Sequence, residues 1–279
     1  MLDTVSIGNQ ILLLRKRNGF TQDELAVKLG ISAQAISKWE NGHTLPETAL
    51  LPLLAKLLNS SIDSILSPNT IEEGDLINFG NYEWRVMQLN NDSALVITEA
   101  TIGKAPYNDH MTDIIWEHSS IRKYLNGEFH DKFTPAEKSR IVKTKQSDRN
   151  NPWYDTRCGN STFDKIFLLS YDEVIRYFGD SGDLQNKKGW YWAEHDEIKP
   201  CDENSGLQYG DCVYDKYNDA RKVQNAKGED DWWWLRSPGH VATTAGSIGY
   251  MGELFLCGDD VYRVDGGVRP ALWVSLYDR

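Results

Sequence analysis

The sequence predicts two domains of different class. An all-α unit of five short helices is expected over residues 1–67, then a linker at 68–74, then an α+β unit over residues 75–279. Three observations predict it. Apolar residues recur at helical spacing through Leu66, punctuated by glycine turns and by serine or threonine caps. Beyond residue 74 the pattern changes to short runs rich in Val, Ile, Tyr and Trp, broken by Asn, Asp and Gly. Charge divides at the same place: residues 1–67 carry six Lys/Arg and six Asp/Glu, so the net charge of −11 belongs wholly to the remainder.

The first helix is expected from Ile7, Ile11 and Leu14, with Arg15, Lys16 and Arg17 at its C-terminal end, where cations suit the helix dipole. Asn18-Gly19 ends it. Thr21 caps the second helix, and Glu24 completes a capping box. Leu25, Ala26 and Leu29 form its inner face, and Gly30 turns the chain. Ser32 then caps a third helix over Ala33–Asn41, closed by Gly42. Ile36 and Trp39 share its buried face, leaving amide, hydroxyl and amine groups on the open one. Pro46 suits the first turn of a fourth helix carrying Leu50, Leu53, Leu54 and Leu57. Ile62, Ile65 and Leu66 suggest a fifth, and Ser67-Pro68 ends the unit.

The run TQDELAVKLGISAQAISKWENGHTLPE resembles the repressor-like helix-turn-helix family of the phage repressor, Cro and XRE group, over about residues 5–67. The resemblance implies that the third helix enters the DNA major groove while the second lies across it. It further implies that Gln22 hydrogen-bonds a phosphate and braces the third helix, and that Ser32, Ala33, Gln34, Ser37 and Lys38 face bases or backbone. Gln34 can pair bidentately with adenine and Lys38 with guanine, whereas Ala33 reaches only a thymine methyl. Asn41 and the loop after it would meet the phosphate backbone. Family members usually bind palindromic double-stranded operators as dimers, so a homodimer is expected.

In the second unit, Tyr82–Leu89 and Ser93–Thr98 flank Asn90-Asn91-Asp92 and read as a β-hairpin. Helical spacing runs from His118 to Phe129. Thr134 starts another helix, through Ile141, and Ser170 with Glu173 starts one that runs through Phe178. Residues 165–169 read as a strand, 144–165 as polar turns, and 179–230 as long loops interrupted by Trp190, Tyr191 and Trp192. Short strands are expected at 232–236, 246–251, 255–256, 261–264 and 268–276.

The segments FGNYEWRV, SSIRKYLNGEF, KIFLLSYDEV, WWWLRSPG, GYMGEL and GGVRPALWVSL resemble an uncharacterised bacterial domain family, DUF6273, over about residues 74–276. More distantly, the paired aromatics before a Gly-rich loop and the terminal GVRPAL strand resemble the C-type-lectin-like fold. Formylglycine-generating enzymes and the variable receptor-binding proteins of diversity-generating retroelements share that fold, so it does not fix a function.

Little in the second unit points to catalysis. Its histidines are scattered, and Ser237 lacks a nucleophile-elbow context. Formylglycine chemistry would need two neighbouring cysteines, and Cys257 stands alone among the late strands. Cys158, Cys201 and Cys212 complete the set, with no C-x-x-C pair, so neither a metal nor another cofactor is expected. The acidic stretch His195–Glu203 reads as solvated loop rather than a cation site. Trp232–Trp234 read chiefly as core, Arg236 and Arg269 as ties to backbone carbonyls, and Trp190 and Trp192 as a ligand or partner site.

No run of 18 apolar residues suggests a membrane span, and MLDTVSIGNQ lacks the basic and apolar regions of a secretory signal, so the cytoplasm is expected. The acidic second unit is repelled by phosphate, which leaves DNA to the first. The expectation is a sequence-specific DNA-binding transcriptional regulator, not an enzyme, whose second domain senses a ligand or controls assembly. The alternative is a lectin-like or antitoxin-like binding protein in which the helix-turn-helix autoregulates or tethers.

Overall fold

The computed structural model describes residues 4–66, 71–90, 92–192, 198–200 and 212–276, the side chain of Trp192 excepted. The chain divides into two compact units, residues 1–71 and 72–279. The first contains α1 (Thr4–Arg17), α2 (Gln22–Leu29) and α3 (Ala33–Glu40). A 3₁₀ turn at Thr48–Leu50 leads into α4 (Leu51–Leu57), and α5 (Ile62–Leu66) follows. Ile7, Ile11, Leu14, Leu25, Leu29, Ile36, Trp39, Leu54 and Ile65 are buried together. Each such side chain removed from water stabilises by about 1.5–3 kcal/mol.

The caps act as their sequence implies. Thr21 Oγ1 accepts the Glu24 N–H at 3.1 Å, and the Glu24 carboxylate accepts the Thr21 N–H at 2.7 Å. Gly30 takes φ 70°, a left-handed conformation that lets the chain reverse between α2 and α3. Pro46 departs from expectation. It is buried well before α4, whose first turn holds Pro52 instead.

In the second unit β1 (Leu76–Phe79), β2 (Tyr82–Leu89) and β3 (Ser93–Thr98) form an antiparallel meander. A 3₁₀ turn at Trp116–His118, α6 (Ser120–Tyr124) and a π turn at Leu125–Phe129 occupy the stretch expected to be one helix. Then come α7 (Pro135–Arg140), β4 (Ile141–Val142), β5 (Thr144–Gln146), β6 (Thr162–Asp164), β7 (Ile166–Phe167) and α8 (Tyr171–Phe178). Next are β8 (Trp190–Trp192), β9 (Ile198–Pro200), β10 (Cys212–Val213), α9 (Asn218–Arg221), β11 (Val223–Gln224) and β12 (Asp230–Asp231). The described chain closes with β13 (Trp233–Pro238), β14 (Thr244–Ile248), β15 (Leu254–Asp260) and β16 (Ala271–Ser275).

One sheet runs β1-β2-β3-β16-β4, with β7 also on β16; the other runs β13-β14-β15-β10-β8-β9. The last strand thus returns beside the opening hairpin, Leu272 opposite Val96.

Three expectations are corrected here. Residues 144–165 are not only turns, because β5 and β6 pair as a ribbon. Residues 179–230 are not all loops. Trp190-Tyr191-Trp192 forms β8, which pairs with both β9 and β10. Val261–Val264 is a turn rather than a strand: the Arg263 N–H returns to Asp260 O at 3.0 Å, and its guanidinium binds Asp259 and Asp265, both at 2.7 Å.

Trp232, Trp233 and Trp234 are all buried, so both faces of that run are interior. Trp233 donates to Arg221 O and Trp234 to Ala105 O, which satisfies both indoles inside the unit. Arg236 ties the elements together. It reaches Asp148 through Nε (2.8 Å) and Nη2 (2.7 Å), and its Nη1 meets both Leu168 O (2.6 Å) and Glu173 (2.5 Å). Burial alone would weaken its proton affinity, yet Glu173 and Asp148 hold its pKa above the ordinary arginine value.

Candidate nucleic-acid interface

Helix α3 carries the candidate surface, and its neighbours determine which side is free. Ile36, Trp39 and Glu40 are buried, whereas Ser32, Gln34 and Lys38 are exposed. Gln34 and Lys38 are four residues apart and therefore project from one face. The amide and the ammonium are the groups that pair with adenine and guanine edges. Ser32 is committed at the N-cap, where its Oγ accepts the Ala35 N–H at 3.3 Å. Ala33 is half-buried and turned partly toward the core. Asn41 donates from Nδ2 to Ser37 O (2.8 Å) and Ser37 Oγ (3.3 Å), so these two close the helix on each other.

Gln22 is where α2 begins, half-buried. Its Nε2 donates to Glu40 Oε2 at 2.6 Å, which is a brace onto the end of α3. Arg15, which its sequence position assigned to the helix dipole, completes this brace. Arg15 is not a solvated dipole partner but buried: Nε and Nη2 reach the Glu40 carboxylate at 2.5 and 2.9 Å, and Nη1 reaches Phe20 O at 2.7 Å. The hydrogen bond to Glu40 holds the Arg15 pKa above its usual value. Glu40 therefore locks α3 to both α1 and α2. Arg15 extends the Ile7–Ile11 stripe by one more helical step, and that spacing was the signal available for its burial.

Gly8 is the other missed residue. A Cβ there would lie 2.2 Å from Trp39 O, so α1 and α3 approach this closely only because position 8 has no side chain. Lys16, Arg17 and Lys28 are exposed and supply positive charge to this unit.

In the second unit Trp190 is half-buried in β8, opposite Pro200 and Cys212, and its carbonyl accepts the Cys212 Sγ–H at 3.1 Å. The side chain of Trp192 lies outside the described residues. His195 and the acidic residues around it lie outside the described residues, as does Cys201; Cys158, Cys212 and Cys257 are unbridged. Among the described residues no cluster of metal-ligating side chains occurs, and no helix is long and apolar enough to cross a membrane.

A braced two-helix motif with a polar, unencumbered second helix defines a DNA-binding helix-turn-helix regulator of the XRE type. The helix-turn-helix profile matches residues 11–65, and the profile of a domain of unknown function, DUF6273, matches residues 91–276. The chain belongs to the DUF6273 family, with an XRE-type helix-turn-helix at its N-terminus. It is 36% identical over 88 residues to the competence pilus inhibition repressor of Acinetobacter baylyi, covering 31% of this chain and 76% of that protein. Over 61 residues it is 38% identical to the uncharacterized HTH-type transcriptional regulator YazB of Bacillus subtilis, covering 22% of this chain and 88% of the relative. The P22 c2 repressor in complex with a synthetic operator is similar at 35% identity, covering 23% of this chain and 96% of that one, with a TM-score of 0.22.

Proposed function

We propose that the protein is a cytoplasmic, sequence-specific transcription regulator that binds a palindromic operator as a homodimer. In this reading α3 enters the major groove, Gln34 and Lys38 read base edges, and Gln22, Ser32, Ser37 and Asn41 approach the phosphates. The observation that carries it is the division of α3: one side is bolted down through Ile36, Trp39 and Glu40, and the other offers free hydrogen-bonding groups. The braces of Gln22 and Arg15 on Glu40 pre-organise the helix and reduce what binding must order. Two half-sites about 34 Å apart would match a dimer.

The second unit is read as a lectin-like sensing or pairing domain without catalytic function. The return of β16 beside β3 supports the lectin-like reading. Ser237 supports the non-catalytic one, because its Oγ is spent on the Tyr171 N–H at 3.1 Å.

Selection of bound fragments from genomic DNA, followed by mobility shift on the selected site, tests the first unit. Gln34→Ala should weaken the preferred site by about 1–3 kcal/mol and relax preference at one base position. Lys38→Ala should also weaken binding, and should lower the salt slope by about one if it contacts phosphate rather than base. Unchanged sequence preference in both variants would remove α3 as the reading element.

A further inference from the structure

The charge of the second unit is unevenly placed. Residues 120–146 carry seven Lys/Arg against three Asp/Glu, whereas the rest of residues 68–279 carries 17 against 32. The basic stretch ends in the two-stranded ribbon of β5 and β6, which stands apart from both large sheets. We propose that the outward face of this ribbon binds single-stranded nucleic acid, its phosphates lying along Lys143, Lys145 and Lys165 and one base stacking on Phe163.

The two faces of the ribbon differ. Gln146, Thr162 and Asp164 are buried, and Asp164 is spent on Arg122 Nε (2.8 Å), Trp116 Nε1 (2.9 Å) and Thr162 Oγ1 (2.6 Å). Alternation turns Lys145 and Phe163, which oppose each other in the register, to the outside, and Phe163 is 59% exposed. Next in line beyond the Thr144–Asp164 pair come exposed Lys143 and half-buried Lys165. None of these three lysines makes an ion pair among the described residues. The neighbour of Lys165 Nζ is instead His130 Nε2, at 3.2 Å. Burial first, and then Lys165 and Lys138, lower the His130 pKa, with Asp131 opposing, so the local field is positive. Of the three carboxylates in the stretch, Asp131 is paired with Lys138 Nζ at 2.8 Å and Glu137 is spent on the Thr134 cap. Glu128 is outnumbered by exposed Lys123 and Lys132. Cations gathered across a ribbon without acids between them repel one another, and a bound polyanion relieves that repulsion.

The exposed ring selects among anions. A bare oxyanion would use the lysines and leave Phe163 in water, and a duplex hides the faces of its bases. An unpaired strand offers phosphates and stackable bases together, and every base has a face to stack. The overall acidity of the unit, which argues against phosphate, is not the field at this ribbon. At physiological salt, charges are screened beyond about 8 Å, so a strand lying on β5 and β6 meets the lysines rather than the distant acidic loops.

The test is fluorescence anisotropy of the full chain with a short, labelled single-stranded oligodeoxynucleotide of mixed sequence, competed by the same sequence as a duplex and by polyglutamate. The single strand should bind saturably, and both competitors should displace it poorly. Phe163→Ala should weaken binding about fivefold or more, the loss of one stacked base. Lys143→Ala combined with Lys145→Ala should lower the salt slope by about 0.7 per lysine. All three positions are exposed, so these variants keep the fold. Gln34→Ala combined with Lys38→Ala should leave single-strand affinity as it is, which keeps this site apart from operator reading by α3. No binding of the single strand, equal displacement by polyglutamate or duplex, full affinity in Phe163→Ala, or loss of binding in the α3 variant would overturn the proposal.

Discussion

In the first unit Arg15 spends three N–H groups on Glu40 and Phe20 O, and Glu40 in turn accepts from Gln22. Buried Arg269 in the second unit meets one carbonyl and two aromatic faces, and its Nη1 has no acceptor. Arg236, in the same unit, is as fully partnered as Arg15. Burial of an arginine is therefore not one phenomenon here. A completed set of acceptors marks a clamp that holds elements in place, as α3 must be held to present Gln34 and Lys38. An incomplete set, as at Arg269, leaves a buried N–H unsatisfied and makes no clamp.

The largest expected effect separates the two arginines of the second unit. Arg236→Met strips the counter-charge from Asp148 and Glu173 and leaves Leu168 O unpaired. Removing one member of a buried ion pair costs about 3–5 kcal/mol, and here two carboxylates are orphaned. Arg269→Met removes a buried cation that no carboxylate contacts. Its lost hydrogen bond and ring contacts are offset by relief of desolvation, so the change should be within about 1.5 kcal/mol. Urea unfolding of the full chain checks both. Equal penalties for the two substitutions would erase the distinction between a fully and an incompletely partnered arginine.

Glu40→Ala carries the comparison into the first unit. It leaves the Arg15 guanidinium buried without its anion and releases Gln22, at a cost of about 3–5 kcal/mol. Protection of α3 amides against hydrogen exchange should fall, and operator affinity should fall with it although Glu40 is buried away from the DNA-facing side. Should α3 keep its protection, the Ile36 and Trp39 contacts alone position it.

These clamps also show which parts of the molecule were legible beforehand. Caps are written in residues three apart, so Thr21 with Glu24, Ser32, Thr134 with Glu137 and Ser170 with Glu173 could be read directly. The β2–β3 hairpin announced itself through Asn90–Asp92 for the same local reason. Arg15 and Glu40 are 25 residues apart, and the closeness of Gly8 to Trp39 O is a property of two packed helices, so neither can be found by a window along the chain. Trp190-Tyr191-Trp192 carried a strand signal that the polar sequence around it outweighed; β8 pairs with nearby β9 and also with β10, more than 20 residues onward, and the second partner is invisible to a local window. At the interface, the polar face of α3 was readable from helical periodicity. The bond from Asn41 to Ser37 was local too, a four-residue step, yet a cap that consumes an amide looks in sequence like an amide free for phosphate.

The smallest expected effect is a difference in pH response between two glutamates. Glu24 has its pKa held below the usual value by the Thr21 backbone N–H first and the Thr21 hydroxyl second. A depressed carboxylate stabilises the fold above its unfolded value of about 4.3, and that contribution is lost as pH falls through the folded value. Glu253 is shifted the opposite way. Burial raises its pKa, and the N–H groups of its own residue and of Met251 only partly oppose this. Between the unfolded and the raised folded value the native state holds the proton that the unfolded state has released, so stability declines as pH rises through that window. Glu24→Gln should therefore narrow its gap from the parent protein on acidification, as read by hydrogen exchange of α2 amides between about pH 3 and 7. Glu253→Gln keeps an acceptor for the Met251 N–H but cannot ionise, so it should gain on the parent as pH rises from about 4. The two gaps should both close toward acid, from opposite sides: the Glu24 variant is the less stable partner of its pair at neutral pH, and the Glu253 variant the more stable. The same sign in both would mean that the carboxylate of Glu253, like that of Glu24, is fully satisfied when charged.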